Sequence, residues 1–422
     1  MNIEMLCPTE VVVCGDGLFA ILVNSMLSQA GVRTRRIHSS PSGTSLGFPG
    51  LGVLWPTPVD PFTRIAVAHG ATVARELSDF VRGSCAAWNH EPPNNHVPQL
   101  LVAARSLRLA SAPHEVVELK AAARDYQSLR PLDGLDPSVF ALDEGTAWIT
   151  SGKGADLAQV LLATEDVQSH CYGVVTHIEE SADGVKVYCQ DGRCYQAEIG
   201  VVGLGAATGK VIARFGDICV PVTDVISQMD LGVSLSDAQA NDIFKEPLDF
   251  KGVCFRTANG HISGVVRLCR PTKEVGLKLT GPRYALRHAG AGWSAHEMPA
   301  DGPWLNAGLL KNSHLAALHA LSVALPEWEP ALRPAIQRLD SLSEAQVLST
   351  VSLGTECWPC DELPLLGDFG NHGRLVGSAG WLGCGHGVAL WAARATCDLI
   401  LKGRISSVPE IPILSPRRFF LP

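Results

Sequence analysis

Hydrophobic periodicity changes twice within the first forty residues. Glu10–Cys14 (EVVVC) is a short β-branched run, the pattern of a strand buried on both faces of a parallel sheet. Gly15-Asp16-Gly17-Leu18-Phe19-Ala20 follows, and Ile21–Ala30 then reads as a helix closed by Gly31. Val32–His38 reads as the next strand, which completes a strand–turn–helix–strand unit. Further on, Ile65–Arg82 has helical periodicity, 90–98 is a Pro- and Asn-bearing loop, and 113–128 is a surface helix. Residues 157–163 predict another helix. Three alternating runs (173–180, 184–189, 193–203), separated by Asp-Gly turns, predict a three-stranded β-meander. Residues 250–279 mix strand-like runs with glycine turns, and 309–325 is a helix stopped by Pro326. Two short apolar runs, at 363–367 and 375–377, precede a dense glycine cluster and a final helix over 388–401.

Composition narrows the class. The chain has 422 residues, 46% of them hydrophobic and 18% charged, which suits two domains with large cores. The net charge of −8, with no basic block, argues against a nucleic-acid partner. No apolar run has the length of a membrane span, and the N-terminus lacks a basic segment before an apolar one. The thirteen cysteines show no metal-site spacing and read as reduced thiols, so a cytoplasmic location is expected.

The turn after the first strand has the chemistry of a dinucleotide site. Gly15 permits a tight turn, Gly17 lets the backbone approach a pyrophosphate, and Ala20 keeps the helix close to the strand. The phosphates would lie at the helix N-terminus, where free N–H groups and the helix dipole favour anions. A glycine turn in a parallel sheet without any nucleotide is the alternative. Two residues depart from the pattern: His38 stands where a ribose-binding carboxylate is expected, and Asp16 places a negative charge between the glycines. Arg33, Arg35 and Arg36 crowd the second strand and would offset Asp16.

Four segments, in order, resemble the D-amino-acid oxidase and sarcosine oxidase family over nearly the whole chain. They are the βαβ unit, Ser45–Trp55 (SLGFPGLGVLW), the meander ending in VVGLGAATG (201–209), and the segment from Glu362-Leu-Pro-Leu-Leu-Gly367 through Leu375–Gly380 to Cys384-Gly-His-Gly387. The resemblance implies an α/β fold: a Rossmann-like FAD-binding domain (1–85, 145–225 and 345–405) with a central parallel sheet and the meander. An interleaved α+β substrate domain (86–144 and 226–344) and a C-terminal tail (406–422) complete it. FAD would be held by Gly15, Gly17, Leu18, Phe19, Ala20, His38, Gly50, Gly52, Val174, Gly203, Gly205, Gly380, Gly383, Gly385, Gly387 and Val388. The implied reaction oxidises an amine or amino acid at its C–N bond. A hydride passes to flavin N5 and the resulting imine is hydrolysed, with oxygen or an electron carrier as final acceptor. A partner subunit or oligomer is compatible with the same resemblance.

Candidate side chains follow from it. Gly276-Leu-Lys-Leu279 is similar to a sarcosine oxidase motif whose lysine promotes reaction with oxygen, which nominates Lys278; a strand with one solvated lysine is the alternative. His386 lies in the glycine cluster that should face the flavin. Cys357 and Cys360 precede the 363–367 run and could carry flavin covalently, form a redox pair, or be plain buried thiols. Arg256, Arg267, Arg270, Arg283 and Tyr284 are candidates for a substrate carboxylate, and His69 reads as a packing residue. A flavin-dependent hydroxylase reduced by a nicotinamide, and a scaffold or subunit that has lost FAD, remain the competing readings.

Overall fold

The computed structural model describes all residues except 1–3, 6–8, 40–50, 134–137, 151–156, 163–168, 213–221, 244–249, 287–305, 382 and 420–422. Two sheets organise the described residues.

The first sheet is built on the strand Thr9–Cys14, whose Val11, Val12 and Val13 are buried on both faces. Its strand order is Leu365–Asp368, Leu375–Ala379, Arg193–Val202, Thr9–Cys14, Thr34–His38 and His170–Tyr172. From Leu375–Ala379 to His170–Tyr172 the neighbours are parallel. One face carries helices Leu18–Gln29, Ala71–His90 and Gly385–Lys402, packed through Val11, Val13, Ile21, Trp88, Leu390 and Ala393. On the other face Val12, Cys14 and Val202 pack against the first two strands of the expected meander, Val175–Ser181 and Gly184–Cys189, whose third strand is Arg193–Val202. The last meander strand is also a strand of the parallel sheet, so meander and sheet share a core.

The second sheet runs Val351–Trp358, Val222–Ser234, Glu274–Leu286, Ser263–Cys269, Phe250–Thr257, Leu101–Ala110, Phe140–Thr150 and Val53–Leu54. All pairs are antiparallel except Phe250–Thr257 with Leu101–Ala110. Residues 53–54, 145–150 and 351–358, from segments expected beside the cofactor, are therefore strands of this sheet. Its outer face, with Leu107, Phe255, Val266, Leu277 and Leu279, is covered by helices Ala307–Ala324 and Glu329–Ser341.

Two sequence expectations need correction. Ile65–Arg82 is not one helix: Phe62–His69 and Ala71–His90 meet at Gly70, whose φ of +93° interrupts the helical path. The expected 90–98 loop ends in a short helix, Val97–Leu100. Arg418 ties the described part of the C-terminal segment to residues 361–363. The Arg418 guanidinium bridges both Asp361 oxygens (2.7 and 3.0 Å) and donates to the Leu363 carbonyl (2.7 Å).

Candidate functional site

Three parallel strands end close together: Val202 pairs with Cys14 on one side and, on the other, with Gly377, two residues before its strand ends. Gly15, Gly203 and Gly380 follow their strand ends. A crevice at the carboxyl edge of a parallel sheet is where α/β proteins bind ligands. Gly15 is demanded by the fold: at φ +150° a Cβ would lie 2.2 Å from the Gly203 carbonyl oxygen. Gly203 in turn packs on Phe19 and Ala20, and the Ala20 side chain fills the gap the spacing requires. Gly17 differs, since a Cβ there would meet nothing within 4 Å. It is the N-cap of helix Leu18–Gln29, with no side-chain cap and no acidic residue in the first turn. The first-turn N–H groups thus have no intrahelical acceptor, and the space a Gly17 side chain would fill is empty, an arrangement fit for a phosphate. The Leu18 side chain is buried, which leaves only its backbone toward the crevice.

The charged departures of this turn have defined places. Arg36 is fully buried and donates from Nη1 to the Gly15 carbonyl at 3.2 Å, so a guanidinium lies beneath the turn. Asp16 is turned toward Ser39, accepting its backbone N–H at 2.7 Å. His38 is buried, its ring edge-on to His170 and Tyr172. Val174 is 40% exposed beyond the edge strand.

Helix Gly385–Lys402 begins at the same edge, again without side-chain cap or first-turn acid. Gly380, at φ +74°, lies against Pro359, and Gly383 is also at positive φ, +78°. Gly385 is exposed and His386 half-buried. Gly387 brings the helix against the second sheet's edge: a Cβ there would sit 3.0 Å from the Trp55 carbonyl oxygen. Ser84 Oγ and Trp88 Nε1 both donate to the Gly387 carbonyl, at 2.8 and 3.0 Å, and fix this first turn. The Val388 side chain is in the core and its N–H bonds Cys384, so it offers nothing to a ligand. Gly205 lies in a 3₁₀ turn after Gly203, with nothing within 4 Å of a Cβ.

The inner face of the second sheet, opposite the helix layer, carries charge. Arg108 and Glu144 form a buried pair at 2.7 Å, and Arg108 also donates to the carbonyls of Pro58 and Val59. Burial pushes the Glu144 carboxyl up, but Arg108 and Arg256 outweigh it and hold it below the usual carboxylate range. Arg256 donates to the Thr57 and Pro58 carbonyls and lies 3.8 Å over the Trp55 ring. These two arginines hold the 57–59 segment and are not available to a substrate. Arg267 is different. It makes one hydrogen bond, to the Leu51 carbonyl at 2.9 Å, and no ion pair among the described residues. Its Nε is buried with no partner, and burial lowers its pKa. Gly52, at φ +65°, leaves room beside it: a Cβ there would lie 3.3 Å from Arg267 Nη2.

Lys278 sits two strands from Phe250–Thr257 on this inner face, with Nζ 3.7 Å from Asp230 Oδ1 on the neighbouring strand. The lysine is a partly solvated member of an ion pair rather than an isolated buried ammonium. Gln228, fully buried, donates to Asp230 at 3.3 Å while its amide oxygen finds no donor among the described residues. Arg270 is exposed, and the side chains of Arg283 and Tyr284 lie outside the described residues, as does Gly50. Cys357 is buried in the core between sheet and meander, Cys360 is exposed, and neither is in a disulfide. His69 is half-buried on its helix. The Asp16–Ser39 contact and the Arg267–Gly52 juxtaposition carry no signal in residue spacing, because each joins segments through sheet register.

No protein-family model matches the chain, and no curated protein matches it in sequence. Solved structures do match its fold from end to end. Glycine oxidase from Geobacillus kaustophilus superposes with a TM-score of 0.64 at 16% identity, covering 98% of this chain and 99% of that one. Iminodiacetate oxidase from Chelativorans sp. BNC1 gives 0.60 at 16% identity, covering 96% and 99%. Fructosyl amine:oxygen oxidoreductase (Amadoriase I) from Aspergillus fumigatus gives 0.60 at 14% identity, covering 99% and 91%. The chain has the D-amino-acid oxidase-like α/β fold of these amine and amino-acid oxidases, with the Rossmann-like sheet and meander expected from its sequence.

Proposed function

We propose that this protein is an FAD-dependent oxidoreductase that oxidises an amine or amino acid at its C–N bond. The observation that carries the reading is the carboxyl edge of the first sheet. Two helices begin there with uncapped, acid-free first turns, beside a glycine whose missing side chain leaves open space. The second sheet meets that edge at Trp55 and Pro359 and presents a charged inner face. All the superposed relatives named above are oxidases or oxidoreductases of amines or amino acids by name.

FAD, when bound, supplies the acceptor for the two electrons removed from the substrate. The first-turn N–H groups of Leu18–Gln29, beside Gly17, would hold the pyrophosphate. The first turn of Gly385–Lys402, with Gly385 and His386, would lie against the flavin ring and favour negative charge there. Arg267, an inner-face guanidinium with no ion pair among the described residues, would take a substrate carboxylate and so orient the C–H to be oxidised. Lys278 would lend positive charge to the reduction of oxygen, moderated by Asp230. Buried Arg36 offsets Asp16 at the phosphate turn, which argues against a scaffold that has lost its cofactor.

The test is an absorption spectrum of the purified protein, before and after acid precipitation, followed by anaerobic titration with a panel of amines and amino acids. Flavin bands that bleach with one substrate class support the reading. A protein that stays colourless after incubation with excess FAD would end it.

A further inference from the structure

The dinucleotide turn departs twice from the pattern its geometry serves, and the two departures meet in space. Strand Thr34–His38 ends without the carboxylate that binds ribose hydroxyls in such units. Its His38 is 6% exposed and packed edge-on against His170 at 5.9 Å and Tyr172 at 6.3 Å. It is a packing residue that does not face outward. The turn, for its part, carries Asp16 between two glycines. That carboxylate reaches across to the residue just past the strand end. Oδ1 accepts the Ser39 N–H at 2.7 Å, and Oδ2 accepts the Ser39 hydroxyl.

We propose that Asp16 is the ribose-binding carboxylate of this protein, supplied from the glycine turn instead of from the strand end. The inference rests on the FAD reading above and adds a residue to it. A carboxylate has about four acceptor positions, and Ser39 occupies two. The rest remain for the adenosine ribose hydroxyls, which are donors. Asp16 is half-buried and Ser39 exposed, so the pair is accessible. Two hydrogen bonds from Ser39 pre-orient the carboxylate, so little side-chain freedom is lost on binding. They also draw its charge toward the strand end and away from the first-turn N–H groups that suit the pyrophosphate. Arg36 Nη1, 3.2 Å from the Gly15 carbonyl, sets a positive charge beneath the same turn and offsets what repulsion remains. The arrangement accounts for both departures with one contact.

The experiment titrates apoprotein with FAD and with FAD carrying 2′-deoxyadenosine, following flavin fluorescence quenching. Wild type is expected to bind FAD about ten- to a hundredfold more tightly than the deoxy analogue, the value of a hydrogen bond to a charged group. Asp16→Asn is expected to weaken FAD binding by a similar factor and to lose the discrimination between the two ligands. Asp16→Ser, with its fold checked by circular dichroism, serves the same comparison should Asp16→Asn be unstable. Folded Asp16 variants that bind FAD as wild type does, or keep the full discrimination, overturn the assignment while leaving the flavin reading standing. Wild type that binds neither ligand overturns the flavin reading and this assignment with it.

Discussion

The two sheets hold polar groups in opposite ways. At the edge of the first sheet, the groups fit for a ligand are mostly backbone N–H donors of two helix starts, exposed by glycines. The inner face of the second sheet uses side chains instead: Arg108 with Glu144, Arg256 over Trp55, Arg267, and Lys278 with Asp230. A backbone site follows from chain geometry and needs a fixed spacing of glycines. A side-chain site follows from which residues sheet register brings together, and any spacing can satisfy it. The first kind recognises a feature common to many ligands, such as a pyrophosphate. The second kind can be retuned one residue at a time, which suits a substrate face.

The sharpest way to break this comparison is to change two glycines of one motif. Gly15→Ala is expected to destabilise the fold by about 3 kcal/mol or more, because it combines a positive φ with a backbone clash. Gly17→Ala should cost no more than about 1 kcal/mol, since its φ is −81° and its Cβ meets open space. It should nevertheless weaken FAD binding at least about tenfold, by a methyl group set where the pyrophosphate approaches. Urea unfolding and FAD titration separate the two effects; undiminished affinity in Gly17→Ala would remove the pyrophosphate from this turn. On the second sheet, Glu144→Gln should cost about 3–5 kcal/mol by leaving Arg108 buried with an uncompensated charge. Arg108→Met with Glu144→Leu should cost less than either single change, because no charge is then stranded.

The same contrast explains what could be read from residues alone. The βαβ unit, the meander and the final helix were legible because each is a local pattern marked by turn signals: Gly15 and Gly31, Asp183-Gly184 and Asp191-Gly192, and the glycine cluster before the last helix. The strand Leu101–Ala110 was not, because Leu-Val-Ala-Ala-Arg has the residues of a helix. It is a strand because pairing on both sides sends Leu107 and Leu109 to the helix-covered face and Ser106 and Arg108 to the inner one. The helical periodicity over Ile65–Arg82 was borne out on both sides of Gly70 but did not show the break there, because one positive φ interrupts an otherwise continuous pattern. At the site, glycine spacing located the turn proposed to hold the phosphates. It did not locate Asp16 against Ser39, and five candidate residues could not be ranked until register separated Arg256, which donates to the 57–58 carbonyls, from Arg267, which has one hydrogen bond and no ion pair among the described residues.

Acid should discriminate between the sheets. His314 is fully buried against the outer face of the second, both ring nitrogens lack an ordinary hydrogen bond, and burial pushes its pKa down to about 4, only partly opposed by the Gly281 carbonyl. A base whose folded pKa is depressed leaves stability intact above its unfolded value of about 6.5. Below that pH the unfolded chain takes up the proton first. Stability should fall as pH drops from about 6.5 to about 4, by up to about 3 kcal/mol from this residue. His314→Leu should flatten that limb of the curve in urea titrations; an unchanged slope would place the acid sensitivity elsewhere. Arg267→Met carries a smaller expected effect, about a ten- to hundredfold rise in KM for a carboxylate-bearing substrate. Its kcat should change little, and substrates lacking a carboxylate should be unaffected.

The smallest expected effect concerns Lys278. Its pair with Asp230 spans 3.7 Å with the side chains 27% and 52% exposed, so Lys278→Met should alter stability by less than about 1 kcal/mol. Its consequence should appear in one half-reaction. The anaerobic rate of flavin reduction by substrate involves no negative charge delivered to oxygen and should stay within about threefold of wild type. Reoxidation by oxygen develops such a charge, and removing the ammonium should slow it by about tenfold or more. Asp230→Asn should act in the opposite direction, since it strips the lysine of its counter-charge. Stopped-flow traces of the two half-reactions decide the matter. Equal reoxidation rates in all three proteins would mean that the Lys278–Asp230 pair contributes no electrostatics to oxygen chemistry, which would remove the sequence argument for oxygen as the acceptor.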